Sequence, residues 1–193
     1  MFVKVEKAFF TKPTLQLAQA LLGCLLVKET EDGITSGFIV ETEAYIGPED
    51  RAAHSYGNRR TKRTEIMFGE AGYAYTYQMH THTLVNVVSG EFEKPEAVLI
   101  RALEPYTGVD LMYKRRQVEQ VKQLTNGPGK LTKAMGITMD DYGRPLFELP
   151  IYIAEGFTPQ AVASGPRIGI ENSGEAKEYP WRFWIRGNAF VSK

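Results

Sequence analysis

FIVETEAYIGPEDRAAHSYGNRRTKR, from Phe38 to Arg63, is the stretch around which the rest of the chain can be read. It begins as an apolar strand, passes through Glu41, Glu43, Tyr45 and His54, and ends in Arg59, Arg60, Lys62 and Arg63. Side chains two apart on a strand share a face, so Glu41, Glu43 and Tyr45 point one way and Val40 and Ala44 the other. Ile39 and Thr42 fit that alternation less cleanly. Two readings stay open. A Glu-x-Glu pair can decorate a solvated edge strand, the usual fate of glutamate. It can also supply a carboxylate general base beside an aromatic pocket wall. Periodicity does not say which glutamate would be the base.

Outward from this strand the pattern alternates between short strands and few helices. TKPTLQLAQALLGC reads as a helix, with Pro13 near its start, an apolar face of Leu15, Ala18, Leu21 and Leu22, and Gly23 as a stop. CLLVKE pairs with TSGFIVETEAY through a Glu31-Asp32-Gly33 turn, a plausible hairpin. GYAYTYQMHTHTLVNVVSG reads as one or two strands, and AVLIRALEP as a buried strand carrying Arg101. GVDLMYKRRQVEQVKQL reads as a helix, and NGPGKLTKAMGI as a turn feeding a short one. PLFELPIYIAE, PRIGI and RFWIRGNAF read as further strands. With no repeat, low-complexity run or linker, the expectation is one α+β domain over residues 1–193.

Composition bounds the partners. Of 193 residues, 43% are hydrophobic and 24% charged, which is ordinary for a soluble globular chain. The formal net charge is zero, so a nucleic-acid partner has to be argued from local clustering. Cys24 is the only cysteine, which excludes an intrachain disulfide and a cysteine-based zinc site. No leader-like segment opens the chain, and no apolar run approaches the ~20 residues that span a bilayer. A cytoplasmic protein is expected.

The remaining candidates are weighed against plainer roles. His54 lies in a loop, where histidines are more often structural, but it shares a segment with Glu43 and Tyr45. His80 and His82 form a His-x-His pair with no third ligand at suitable spacing, so no metal is expected. The run from Arg51 to Arg63 holds five cations and no acid. Such a run is commonly a solvated face, yet arginines among Gly and Asn suit phosphate contact. Lys114, Arg115 and Arg116 form a second basic patch, and Lys130 stands where a helix opens after Gly127-Pro128-Gly129. Tyr73, Tyr75 and Tyr77 form an aromatic ladder or a stacking platform.

Four ordered blocks, VETEAYIGPEDRAAHSYG, VLIRALEP, NGPGKLTKAMGI and PRIGIENSGEAKEYPWRFWIRG, together resemble the alkyladenine, or 3-methyladenine, DNA glycosylase family, over most of the chain. The resemblance implies a single domain with a curved, mostly antiparallel sheet, like the C-terminal domain of formyltransferases. It implies a monofunctional, cofactor-free enzyme that flips alkylated or deaminated purines out of duplex DNA and hydrolyses the N-glycosidic bond in base excision repair. Glu43 matches the water-activating base. Tyr45 and His54 match groups that sandwich the flipped base, with Tyr77 opposite, and Asn86 matches a floor residue that disfavours a 2-amino group. Arg101 matches a residue that orients the displaced backbone. The hairpin that fills the vacated stack is one residue shorter here, leaving Met79 or His80 for that role. Arg59, Arg60, Lys62, Arg63 and Lys130 are the expected phosphate contacts, and the protein is expected to act as a monomer. Two other readings compete. A nucleoside hydrolase would not need the run from Arg59 to Arg63, and a non-catalytic stacking module would not need Glu43.

Overall fold

A computed structural model describes residues 2–192. Nine strands form one antiparallel sheet: β1 (Leu25–Thr30), β2 (Gly33–Ile46), β3 (Ala74–Met79), β4 (His82–Ser89), β5 (Glu96–Thr107), β6 (Phe147–Glu148), β7 (Ile151–Ala154), β8 (Val162–Gly165) and β9 (Arg182–Ile185). The main order is β3-β4-β5-β2-β1-β7-β6, with β8 and β9 branching from β2. Strand β2 is the trunk. Its first half pairs with β1 and its second half, at Glu41–Glu43, with β9, while β5 runs along its other edge.

Apolar residues at alternate positions divide the sheet into two faces. Val40 and Ala44 of β2, Val85 and Val87 of β4, and Val98 and Ile100 of β5 face the main core. That core is closed by Leu17 and Leu21 at α1 (Thr14–Ala20), Met112 of α2 (Val109–Arg116), and Leu131 and Met135 of α3 (Pro128–Met135). The opposite face carries Tyr75, Tyr77, Leu84, Val88 and Leu99 in a second, smaller cluster.

Three offsets interrupt the β2–β5 register, and the two beside Glu41 break the alternation at the site. Ile39 pairs with Leu103 and Glu41 with Ala102, so Val40 is an extra residue on β2; Thr42 then pairs with Ile100, so Arg101 is an extra residue on β5. Bulges of this kind re-aim side chains and increase local twist. Ile39 and Val40 consequently both enter the main core, and Arg101 turns to the face of Glu41 and Glu43.

Several sequence expectations are corrected. The edge-strand reading of Glu41 and Glu43 fails, because both are fully buried between paired strands. The helix expected from Gly108 through Leu124 ends at Arg116, where Gln117 turns left-handed at φ 53°, and resumes only as a short 3-10 turn. PLFELPIYIAE splits into β6 and β7 around Leu149-Pro150. PRIGI is a loop, not a strand, and the strand beside it is Val162–Gly165, which has little apolar content to announce it.

Candidate active site

Glu43 has no exposed surface, yet its carboxylate is held entirely by groups that also line a cavity. Its Oε2 accepts the Tyr45 hydroxyl at 2.8 Å and an Arg101 N–H at 3.2 Å, and its Oε1 accepts the Ile168 backbone N–H at 2.8 Å. The PRIGI segment leaves the sheet and commits a backbone donor to this carboxylate. Burial, and the neighbouring Glu43 carboxylate, push the Tyr45 phenol well above its ordinary pKa, so it remains a donor.

Glu41, two residues earlier, is bound differently. Its oxygens accept the Ser192 N–H at 2.7 Å and the Ser192 hydroxyl at 2.9 Å, with Arg101 Nε at 3.5 Å and an Arg182 nitrogen at 3.6 Å. Two carboxylates and two guanidinium groups therefore form one charge-balanced buried cluster, which is how ionised groups survive away from water. Arg101 lies between both glutamates and reaches the cavity wall. The family resemblance assigns it to a nucleic-acid backbone; in this structure its partners are the two carboxylates.

The cavity measures about 380 Å³ and is lined by Tyr45, His54, Tyr77, Asn86 and Arg101, together with Leu99 and Ile168. His54 and Tyr77 touch edge to face, with ring centroids 4.6 Å apart and planes at 83°, so they build one wall together, whereas the resemblance sets Tyr77 opposite Tyr45 and His54. Tyr75, read in the sequence only as part of a ladder, binds His54 Nδ1 through its hydroxyl at 2.7 Å. Burial, reinforced by Arg63 and Arg59, lowers the His54 pKa to about 4, which keeps the ring neutral near pH 7. Asn86 donates to the Tyr75 carbonyl at 3.0 Å, which fixes its amide against the cavity floor. Packing holds the loop that delivers His54: the Ser55 hydroxyl donates to the Pro95 carbonyl at 2.7 Å, and a side chain at Gly47 would collide with Ser55.

Arg167 and Asp50 are functional candidates that the sequence reading missed. Their side chains are fully buried and paired twice, with one N···O distance of 2.8 Å. The guanidinium lies 4.6 Å from the Tyr45 ring centroid and 5.1 Å from that of Trp181, and donates to the Ala44 and Ala176 carbonyls. The only sequence signals are an Arg inside PRIGI and an Asp inside GPEDRAAH; neither has a period that places it.

The cations separate on inspection. Arg60 is held by Glu65 and Glu93 and lies over the Phe68 ring. Arg63 lies 5.3 Å from the Tyr77 ring centroid, and Arg59 and Lys62 are exposed. Lys130 is exposed and donates to Asn126. Met79 and His80 sit at the exposed tip of the β3–β4 hairpin, both lining the mouth of the cavity, and His80 adopts a left-handed φ of 52°. His82 packs against Gly129, where any side chain would collide with it.

A buried carboxylate lies beside an aromatic-lined cavity that could take a planar ligand. Residues 8–189 match the family described as Methylpurine-DNA glycosylase (MPG). The chain belongs to that family and is a DNA glycosylase, a hydrolase of N-glycosyl bonds. Proteins provisionally named 3-methyladenine DNA glycosylase are similar along nearly their whole length. That of Bacillus licheniformis is 71% identical over 185 residues, covering 96% of this chain and 94% of the relative. That of Bacillus subtilis strain 168 is 64% identical with the same coverage, and that of Listeria monocytogenes serovar 1/2a is 46% identical over 194 residues, covering 100% of this chain and 94% of the relative.

Proposed function

We propose that the protein extrudes alkylated or deaminated purine nucleotides from duplex DNA and hydrolyses their N-glycosidic bond, with Glu43 deprotonating the attacking water. The observation that carries this reading is the set of partners around Glu43. A carboxylate offers about four acceptor positions. Tyr45, Arg101 and Ile168 occupy three, which leaves one for a water, and all three fixed partners are cavity walls. The same carboxylate stabilises the positive charge that develops on the sugar as the base departs.

Inside a duplex the glycosidic bond is out of reach, so the nucleotide has to leave the stack at a cost of a few kcal/mol. Weakly paired lesions cost less, which favours damage. Tyr45 covers one face of the base, and His54 with Tyr77 the other. Asn86 disfavours a purine with a 2-amino group. Met79 or His80 fills the vacated stack, and Arg59, Lys62, Arg63 and Lys130 hold phosphates, with Arg60 a weaker participant because its acids already engage it. No lysine falls in the motif that supplies Glu43, so the proposed reaction has no Schiff-base lyase step. The names of the relatives support 3-methyladenine as one substrate. The protein works as a monomer in the compartment that holds the DNA.

The test is a duplex carrying one 3-methyladenine or one hypoxanthine, incubated with protein and treated with alkali to cut abasic sites. Lesion-dependent cleavage by wild type, abolished in Glu43→Gln, is expected. Cleavage of neither duplex, or faster cleavage of the corresponding free nucleosides, would overturn the reading.

A further inference from the structure

The two aromatic walls of the cavity are not electrostatically bare. Arg167 lies 4.6 Å from the centroid of Tyr45, and Arg63 lies 5.3 Å from that of Tyr77. Tyr45 lines the cavity while the Arg167 side chain has no exposed surface, so the guanidinium sits behind the ring, away from the ligand. Among the described residues, Arg101 is the one Lys, Arg, Asp or Glu that lines the cavity, and it too is cationic. The two glutamates beneath it are already balanced by Arg101 and Arg182.

A ring attracts a cation through the negative potential above its face. A guanidinium packed on the back of the ring opposes that potential on the front, both by its own field and by drawing the π density toward itself. Asp50 pairs with both terminal nitrogens of Arg167, which holds the guanidinium in place behind Tyr45. Tyr45 therefore keeps its stacking area and loses much of its preference for positive charge. We infer that Arg167, set by Asp50 behind Tyr45, is a specificity-determining residue that shifts this glycosylase from cationic toward neutral purine lesions. This rests on the proposed base-flipping reading and adds a residue and a direction to it.

The experiment compares single-turnover excision of 3-methyladenine, which is cationic as a nucleoside, with hypoxanthine, which is neutral; both lack a 2-amino group. The double substitution Arg167→Met with Asp50→Asn removes both charges without leaving either buried alone. It should raise the 3-methyladenine to hypoxanthine rate ratio by at least about 3-fold, the lower range of a cation–π difference. Asp50→Asn alone leaves the guanidinium uncompensated and should lower the same ratio. A purely structural role would move both lesions together, so an unchanged ratio in folded variants overturns the inference, as does a shift in the opposite direction. Thermal unfolding identifies folded protein, and either variant decides if only one folds. If neither folds, the pair is a folding element and the assignment fails. Wild type is measured first: inactivity on both lesions would sink the lesion reading itself, whereas active wild type with unaltered ratios in the variants sinks only the role of Arg167.

Discussion

Glu41 and Glu43 lie two residues apart and share Arg101, but Glu43 is also bound by Tyr45 and Ile168, both of which line the cavity. Glu43→Gln should cut single-turnover excision by at least about 10²-fold, the lower range for losing a general base, while lesion-duplex affinity stays within a few-fold. Glu41→Gln weakens the Ser192 and Arg182 interactions instead. It should cost roughly 1–3 kcal/mol in urea unfolding, with a much smaller fall in excision per folded molecule. A folded but inactive Glu41→Gln beside a normal Glu43→Gln would transfer the base to Glu41. His54 supplies a second measurement. Its folded pKa of about 4 lies below the usual 6.5, so the unfolded chain takes up the proton first as pH falls. Its neutral form stabilises the fold above pH 6.5, and that contribution fades down to about pH 4, by at most about 3 kcal/mol. His54→Gln should flatten this limb of the stability profile; an unaltered limb would place the titration elsewhere. The Glu-x-Glu spacing was legible as a shared face. What it could not convey was burial, because partners at Arg101, Ile168 and Ser192 come from distant segments without a common pattern.

At the level of elements, the proposed contacts with DNA fall on the hairpin and on the loop after β2. Alanine at the true stacking plug, Met79 or His80, should weaken lesion-duplex binding by roughly 1–3 kcal/mol, the scale of stacking on a single base. Excision from single strands should suffer less, and wild-type behaviour of both variants would move the plug off this hairpin. The basic run divides in the same way. Neutralising Arg59 and Lys62 should reduce the slope of log K against log salt by about 0.9 for each phosphate that is no longer neutralised, on damaged and intact duplexes alike. Arg60→Gln should change that slope little, since Glu65 and Glu93 already hold the side chain. Equal effects at all three would refute the division. The hairpins and the short helices were readable from alternation and from Pro and Gly signals. The loop at PRIGI was not: its apolar residues mimic a strand, while its backbone is recruited by Glu43 and its arginine by Asp50. The early end of α2 also escaped, since nothing before Gln117 marks a left-handed residue there.

For the molecule as a whole, zero net charge and a chemistry assigned to a carboxylate-activated water set expectations of their own. Excision should persist in excess chelator, and loss of activity restored by a divalent metal would require a different mechanism. The partners of Glu43 also bear on how the molecule comes into being. Arg101 follows it by 58 positions and Ile168 by 125. Closing such distant contacts is slow compared with forming a hairpin or a helix turn. A nascent chain that has released β2 and its neighbours holds the carboxylate without its Ile168 donor, and without Arg167 behind Tyr45. On the proposed mechanism, competence to cut is expected late in synthesis, after the segment around Ile168 has emerged. On that reading, a half-made copy can collapse around its apolar strands before it is able to strip bases from DNA.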